Sequence, residues 1–490
     1  MQQSSPVPRR PVVRQLCSHL VAAALLVAGC DAASNDVEDV QPASEEEVGE
    51  FQLVAEPVVA SGGKVSAESS DELVDAPDAD AVMVEREREP IAHRITKQRL
   101  TVYAAPSKTA AIRARVPIHK VFEVFEYVKG PGCGGLGWAD VGSGGFMCME
   151  ETRAAGNLRP KELPIMAAEL TPYFYAKVKE NGTVARRWRN VQAYLSGKEP
   201  IDTLVPDRDY AFKYRKRHKN VHLLIDESHR VVLEREVHRY RPSRFEGRDL
   251  VEKPVPAGQS LAWAFSWPVA TPRTEPSLHA KSVKPIRYHT ELLVAAEPVS
   301  GDGGPWYRLA DGNYVRDDEL QVWVPNTTMP TGVASDEVWI DIDLEAQTLA
   351  AMRGTEPIFA TLISSGFKRA TPKGVFRIHW KQAIGSMQSD PGADDPYNVE
   401  AVPHVQYFIG GFALHSAYWH NYFGRPISHG CVNLAPKDAL RVFRMTSPHV
   451  RDGWLMAYET EGALGTTVRV RKGDRLPRDR RREPESFFGV

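Results

Sequence analysis

The chain has 490 residues, enough for two to four domains, with 42% hydrophobic and 25% charged residues, as in ordinary globular protein. A formal net charge of −2 excludes a global electrostatic trap for nucleic acid, and no nucleic-acid partner is expected.

In chain order, Arg9, Arg10 and Arg14 form a positive segment ahead of residues 20–27 (LVAAALLV), an apolar run too short to span a bilayer. Val27-Ala28-Gly29-Cys30 follows and resembles the lipobox of bacterial lipoproteins. The resemblance implies that residues 1–30 are a signal peptide and that the Cys30 thiol is acylated. The expected place is then the cell envelope, anchored to a lipid bilayer and facing the periplasm. The alternative is an ordinary cleaved signal with Cys30 incidental; either way disulfides persist after export. Residues 31–92 are acidic and poor in aromatics, and read as a disordered tether.

Residues 93–155 alternate apolar and polar positions in LTVYAAP, IRARVPIHKVFEVFEYV and GWADVGSGGFMCM, which predicts short strands. The pattern resembles a bacterial Src-homology-3-like barrel. A Cys133–Cys148 disulfide would staple a domain this small; two reduced buried thiols are the alternative. Residues 156–284 read as β-rich, with strands in YFYAKV, VHLLIDE, RVVLEREVHRY and LAWAFSW, a short helix in RRWRNVQAYL and a basic hairpin at 213–219; no chemistry is assigned to them. Residues 285–330 carry hairpin-turn signals around GGPWYRLADGNYVRDDELQVWV and predict a second small barrel-like module.

Residues 331–472 open with the hairpin VWIDIDLEAQTLAAMRG and continue through the strands PIFATLISSG and GVFRIHW, with Thr371-Pro372-Lys373-Gly374 as the turn between them. The stretch 386–404 has loop composition and could form a lid. YFIGGFALHS reads as strand, and GCVNLAPKDALRVFRM runs into a helix. Residues 473–490 form a basic tail.

One pattern concentrates chemistry. His415 ends an apolar run, and Cys431 follows Gly430 and precedes the helix. A thiol is a potent nucleophile near neutral pH once a neighbouring base or cation lowers its pKa, and a helix N-terminus favours negative charge. Gly430 permits a tight turn and close approach of a substrate. His415, then Ser428-His429-Gly430-Cys431-Val432-Asn433, with the upstream Thr371-Pro372-Lys373-Gly374 turn, resembles the L,D-transpeptidase catalytic domain, the YkuD-like family.

The resemblance implies a mainly β fold: a β-sandwich catalytic domain with short helices, preceded by small barrels. It implies that Cys431 attacks and that His415 acts as base and, as imidazolium, stabilises the thiolate. The Ser416 carbonyl would orient the ring, and backbone N–H groups around Gly430 and Cys431 would hold the oxyanion. Ser428 and His429 would shape the loop and contact substrate, and Asn433 would pin the loop to backbone. Tyr407, Trp419 and His420 would line the cleft, with core packing the alternative for Tyr407 and His420.

The implied partner is peptidoglycan. A stem tetrapeptide would be cut before its terminal D-Ala, and the acyl group passed to a stem-peptide amine, an envelope protein lysine or water. No cofactor or metal is implied. An L,D-carboxypeptidase and a non-catalytic wall-binding lipoprotein are the alternatives. The barrels could bind glycan or peptide, or only orient the catalytic part.

Overall fold

The computed structural model describes residues 88–161, 166, 170–179, 182–206, 208–388 and 397–473. The export segment with Cys30, the tether ahead of residue 88 and the tail from 474 lie outside them. Strands dominate, and Pro436–Met445 is the longest helix among the described residues. None of those helices is long and apolar enough to cross a membrane.

The C-terminal part is one long sheet wrapped on itself. Its strands run in the order Gly374–Arg377, Thr467–Arg471, Val338–Asp343, Thr348–Arg353, Glu356–Ser364, Val432–Leu434, Phe412–Ser416, Asn398–Ile409, Trp380–Gln388, Met456–Tyr458. Strands far apart in that order share a single core, in which Ile340, Leu349, Phe359, Phe408, Leu414, Val432 and Val468 are fully buried. Two pairings are parallel; one joins Phe412–Ser416 to Val432–Leu434. The segment read as loop at 386–404 is largely strand, since residues 386–388 end one strand and 398–404 begin the next. Asn398, Pro403 and two backbone positions with positive φ, Ala401 and His404, hid it from pattern reading.

The helix Pro436–Met445 starts with Pro in its first turn, where no N–H is missed, and buries Ala439, Val442 and Phe443 at helical spacing. Its C-terminal end closes on the buried Lys381 amine. Lys381 Nζ donates to the carbonyls of Phe443 (2.5 Å) and Thr446 (2.6 Å) and to Thr446 Oγ1 (3.1 Å). Burial pulls this ammonium well below the ordinary lysine pKa. Lys381→Met keeps the volume and orphans the helix-end carbonyls. It is expected to cost about 2 kcal/mol, because losing those bonds outweighs relief of the buried charge. Thermal unfolding checks this, and an unchanged or higher midpoint would refute it.

The N-terminal barrel uses eight strands between Ala92 and Ala154, and Cys133 and Cys148 are joined in a disulfide. It is fused to the wrapped sheet. Strand Ile112–Val116 pairs with Met456–Tyr458 through Ala114↔Ala457 and Arg115↔Met456, and Trp454 fills the barrel core beside Val102, Val116 and Phe122.

The second barrel begins earlier than residue 285. Gln259–Ala264 pairs with both Glu291–Ala295 and Leu320–Val322. In this strand Ala262 and Ala264 face the barrel core, while Leu261 and Trp263 face a core shared with Trp339, Ala360 and Phe423. A strand buried on both faces reads as one apolar run and carries no signal of its partners.

Between the barrels, residues 174–239 form a separate small module of two sheets around Ala176, Val178, Phe212, Leu224 and Val232. Its short helix Val191–Leu195 is capped by Asn190, whose Oδ1 accepts from Ala193 N at 2.8 Å. The basic run is the exposed strand Tyr214–His218 of a hairpin with Val221–Ile225.

Candidate active site

Strand register brings the segments of Cys431 and His415 side by side. In the parallel pair, Leu414 faces Val432, His415 faces Asn433 and Ser416 faces Leu434. Side chains alternate along a strand, so His415 and Asn433 share a face, and continuing the alternation back to Cys431, which directly precedes the strand Val432–Leu434, assigns it to that face as well. Cys431 stands one diagonal step from His415.

The sulfur is set among apolar groups. Cys431 packs against a small cluster of Met387, Val402, Val405 and Ala413, which Tyr397, Tyr407 and Trp419 also border, and its sulfur lies 3.7 Å from the Gly411 carbonyl. Burial pushes its thiol up to about 11, and a backbone hydrogen bond from Ala413 draws it back only in part. His415 is fully enclosed. Its Nδ1 donates to the Ser416 carbonyl at 3.1 Å, which leaves the lone pair on Nε2. Burial pulls the ring down to about 4 against that bond. Both shifts favour the uncharged forms, thiol and neutral imidazole, at neutral pH. Burial works against the imidazolium–thiolate pair expected from the sequence, because both charges lose hydration. Trp419 lies nearly parallel to the His415 ring, centroids 5.7 Å apart.

The nucleophile loop is held by hydroxyls. Ser428 Oγ donates to the Cys431 carbonyl (2.5 Å) and accepts from Gly430 N (3.1 Å). The Gly430 N–H is thus engaged within the loop, which takes it out of the oxyanion role expected of it. Thr371 Oγ1 donates to the Gly430 carbonyl (2.7 Å) and accepts from Gly366 N (2.8 Å), which ties the Thr371 turn to the loop. Gly430 sits at φ 150°, and a Cβ there would stand 2.4 Å from the Phe412 ring. Gly366 is equally constrained, since an added Cβ would lie 2.9 Å from Gly430 Cα.

Asn433 bonds to a side chain rather than to backbone. Its amide meets His420 Nε2 at 3.0 Å, while Tyr422 N donates to His420 Nδ1 at 3.1 Å. With Nδ1 accepting, the ring proton resides on Nε2, and the amide oxygen is the group that must face it. His420 is buried against Phe423, and burial pulls its pKa down to about 3, so it braces the site as a neutral ring. Tyr407 stacks on Trp380 with centroids 4.1 Å apart; burial and the nearby Cys431 raise its hydroxyl pKa. His429 is exposed, with its ring 4.8 Å from that of Tyr397. Ser416 Oγ is buried and has no hydrogen-bond partner.

Sequence reading placed most of these groups but missed Thr371 as a brace, Gly366 and Tyr397. For Thr371 the signal was present in the turn, and only the loop packing gave it meaning. Among the described residues no cluster of His, Cys, Asp or Glu could hold a metal ion.

Residues 337–470 match the sequence model of the L,D-transpeptidase catalytic domain, YkuD. No curated protein matches the chain. Solved structures that resemble it include an L,D-transpeptidase from Mycobacterium smegmatis, with 22% identity over 37% of this chain and 90% of that one, TM-score 0.23. Another is the L,D-transpeptidase from Stackebrandtia nassauensis, with 27% identity over 30% of this chain and 60% of that one, TM-score 0.21. A third is the catalytic domain of the Enterococcus faecium L,D-transpeptidase, with 24% identity over 28% and 98%, TM-score 0.22. Overlays at such TM-scores carry no weight, and the assignment rests on the sequence match: residues 337–470 form an L,D-transpeptidase catalytic domain.

Proposed function

We propose that the protein is a lipid-anchored L,D-transpeptidase of the cell envelope that acts on peptidoglycan stem tetrapeptides through a Cys431 thioester. The observation that supports this reading best is the shared strand face of Cys431 and His415, with the His415 tautomer fixed by Ser416.

His415 Nε2 takes the proton from Cys431 Sγ as the sulfur attacks the carbonyl before the terminal D-Ala. Donors around Cys431 meet the developing oxyanion. The C–N bond breaks, the imidazolium returns the proton to the departing D-Ala amine, and the acyl group remains as a thioester. An acceptor amine then attacks; its proton passes through His415, and the thiol is restored. A neutral starting pair needs no buried ion pair at rest, and charge appears only as the proton moves. Tyr407, Tyr397, Trp419 and His429 flank the sulfur and would contact the stem peptide. The acceptor is a stem-peptide amine or an envelope protein lysine, with water as the rival that would make the enzyme a carboxypeptidase. Cys30 would carry the lipid.

Intact-mass spectrometry of the enzyme incubated with disaccharide-tetrapeptide tests this. The expected result is loss of D-Ala with a cross-linked dimer, absent from Cys431→Ala. Tripeptide as the sole product would replace transfer by hydrolysis. A folded enzyme giving neither thioester nor product would leave the wall-binding reading.

A further inference from the structure

The module at residues 174–239 lies outside the matched domain, yet it reaches the active site by two routes. One is aromatic. Tyr175 stacks face to face on Tyr418, centroids 3.6 Å apart and planes 16° apart. Tyr418 meets Trp419 in a T-shape at 4.9 Å, and Trp419 lies over His415. The other route is through the strand Asn398–Ile409, whose Val402 and Val405 belong to the apolar cluster that Cys431 packs against and whose Tyr407 borders it. Tyr175 Oη donates to the Ala401 carbonyl at 2.7 Å, and Arg208 pairs with Glu400 at 2.7 Å. Tyr418 Oη donates to the Glu400 carbonyl at 3.0 Å. Ala401 sits at φ 52°, a conformation that costs an L-residue of order 1 kcal/mol and persists only where neighbours impose it. Buried aromatics in a stack have few other places to go, so the geometry passes from one ring to the next.

We propose that Tyr175 is a positioning residue for His415, and that the module at 174–239 serves the reaction by fixing the base and the strand beside Cys431. The proposal rests on Cys431 as nucleophile and His415 as base, and its test separates the two. In the full chain, alkylation of Cys431 by iodoacetamide is followed from pH 5 to 10 by mass mapping of the Cys431 peptide. His415→Ala tests the underlying pair: if it alkylates like wild type, that reading fails whatever Tyr175 does.

Tyr175→Leu removes the ring face and the hydroxyl. It is expected to slow alkylation about tenfold at pH 7, a loss in keeping with a sub-ångström displacement of a base. The deficit should shrink as rising pH forms the thiolate without His415. A rate and profile equal to wild type would overturn the proposal. So would faster alkylation at every pH, which marks a loosened fold. Should Tyr175→Leu fail to fold, Tyr175→Phe combined with Arg208→Ala removes the module's bonds to the Ala401 carbonyl and the Glu400 carboxylate while keeping the stack. That variant is expected to show a smaller deficit with the same pH dependence, and a wild-type profile from it would be the overturning result.

Discussion

His415→Ala is expected to slow acylation of Cys431 at pH 7 by about 10²–10⁴-fold, the range of a lost general base. The shape of the pH profile is as informative as the size of the loss. In the native pair, protonating His415 removes the base, so the rate should fall only as the pH drops through about 4. On the alkaline side the thiol ionises near 11. Between these limits the pair is neutral and complete, and kcat/KM should be nearly flat from about pH 5 to 10. Without His415 only spontaneously formed thiolate reacts, so the rate of the variant should rise about tenfold per pH unit across the same interval. Release of D-Ala measured against pH separates the cases. A native profile with both limbs close to neutrality would show that a preformed ion pair does the work and that the neutral pair is wrong.

The second large effect is expected at Thr371. Thr371→Val keeps the shape and removes the hydroxyl that joins the Gly430 carbonyl to Gly366 N. Two buried backbone groups then lose their partner, at about 1–3 kcal/mol each. The carbonyl belongs to the residue before the nucleophile, so relaxation of the loop moves the sulfur itself. A shift of about 1 Å is enough for a roughly hundredfold loss in kcat. Thr371→Ser retains the hydroxyl and should stay within a few-fold of native activity. Comparable kcat values for the valine and native enzymes would sink the idea.

How far the sequence carried these conclusions differs by element. Cys431 and His415 were legible because the chemistry and the strand alternation are both local: an apolar run ending in His, and Gly before Cys. The Ser416 carbonyl came with the family resemblance, and the structure places it on His415 Nδ1. The ionisation state of the pair was not legible, because it depends on burial contributed by strands distant in sequence, Val402 and Val405 among them. Asn433 was read as a backbone brace, while its partner is His420, thirteen positions back and reached only by a turn of the chain. Strand Gln259–Ala264 was placed in the middle region because its alternation is erased by burial on both faces. The role of Tyr175 was beyond reach, since its contacts span more than two hundred residues.

The junction between the N-terminal barrel and the wrapped sheet bears on how the catalytic domain can be handled. Strand Ile112–Val116 covers the hydrogen-bonding side of Met456–Tyr458, and Trp454 is buried in barrel atoms. A fragment cut at the borders of the sequence match would expose that bare strand edge and an uncovered indole together, the combination that recruits foreign strands. The barrel thus covers an edge that would otherwise be open, and a fragment beginning at the barrel keeps it covered.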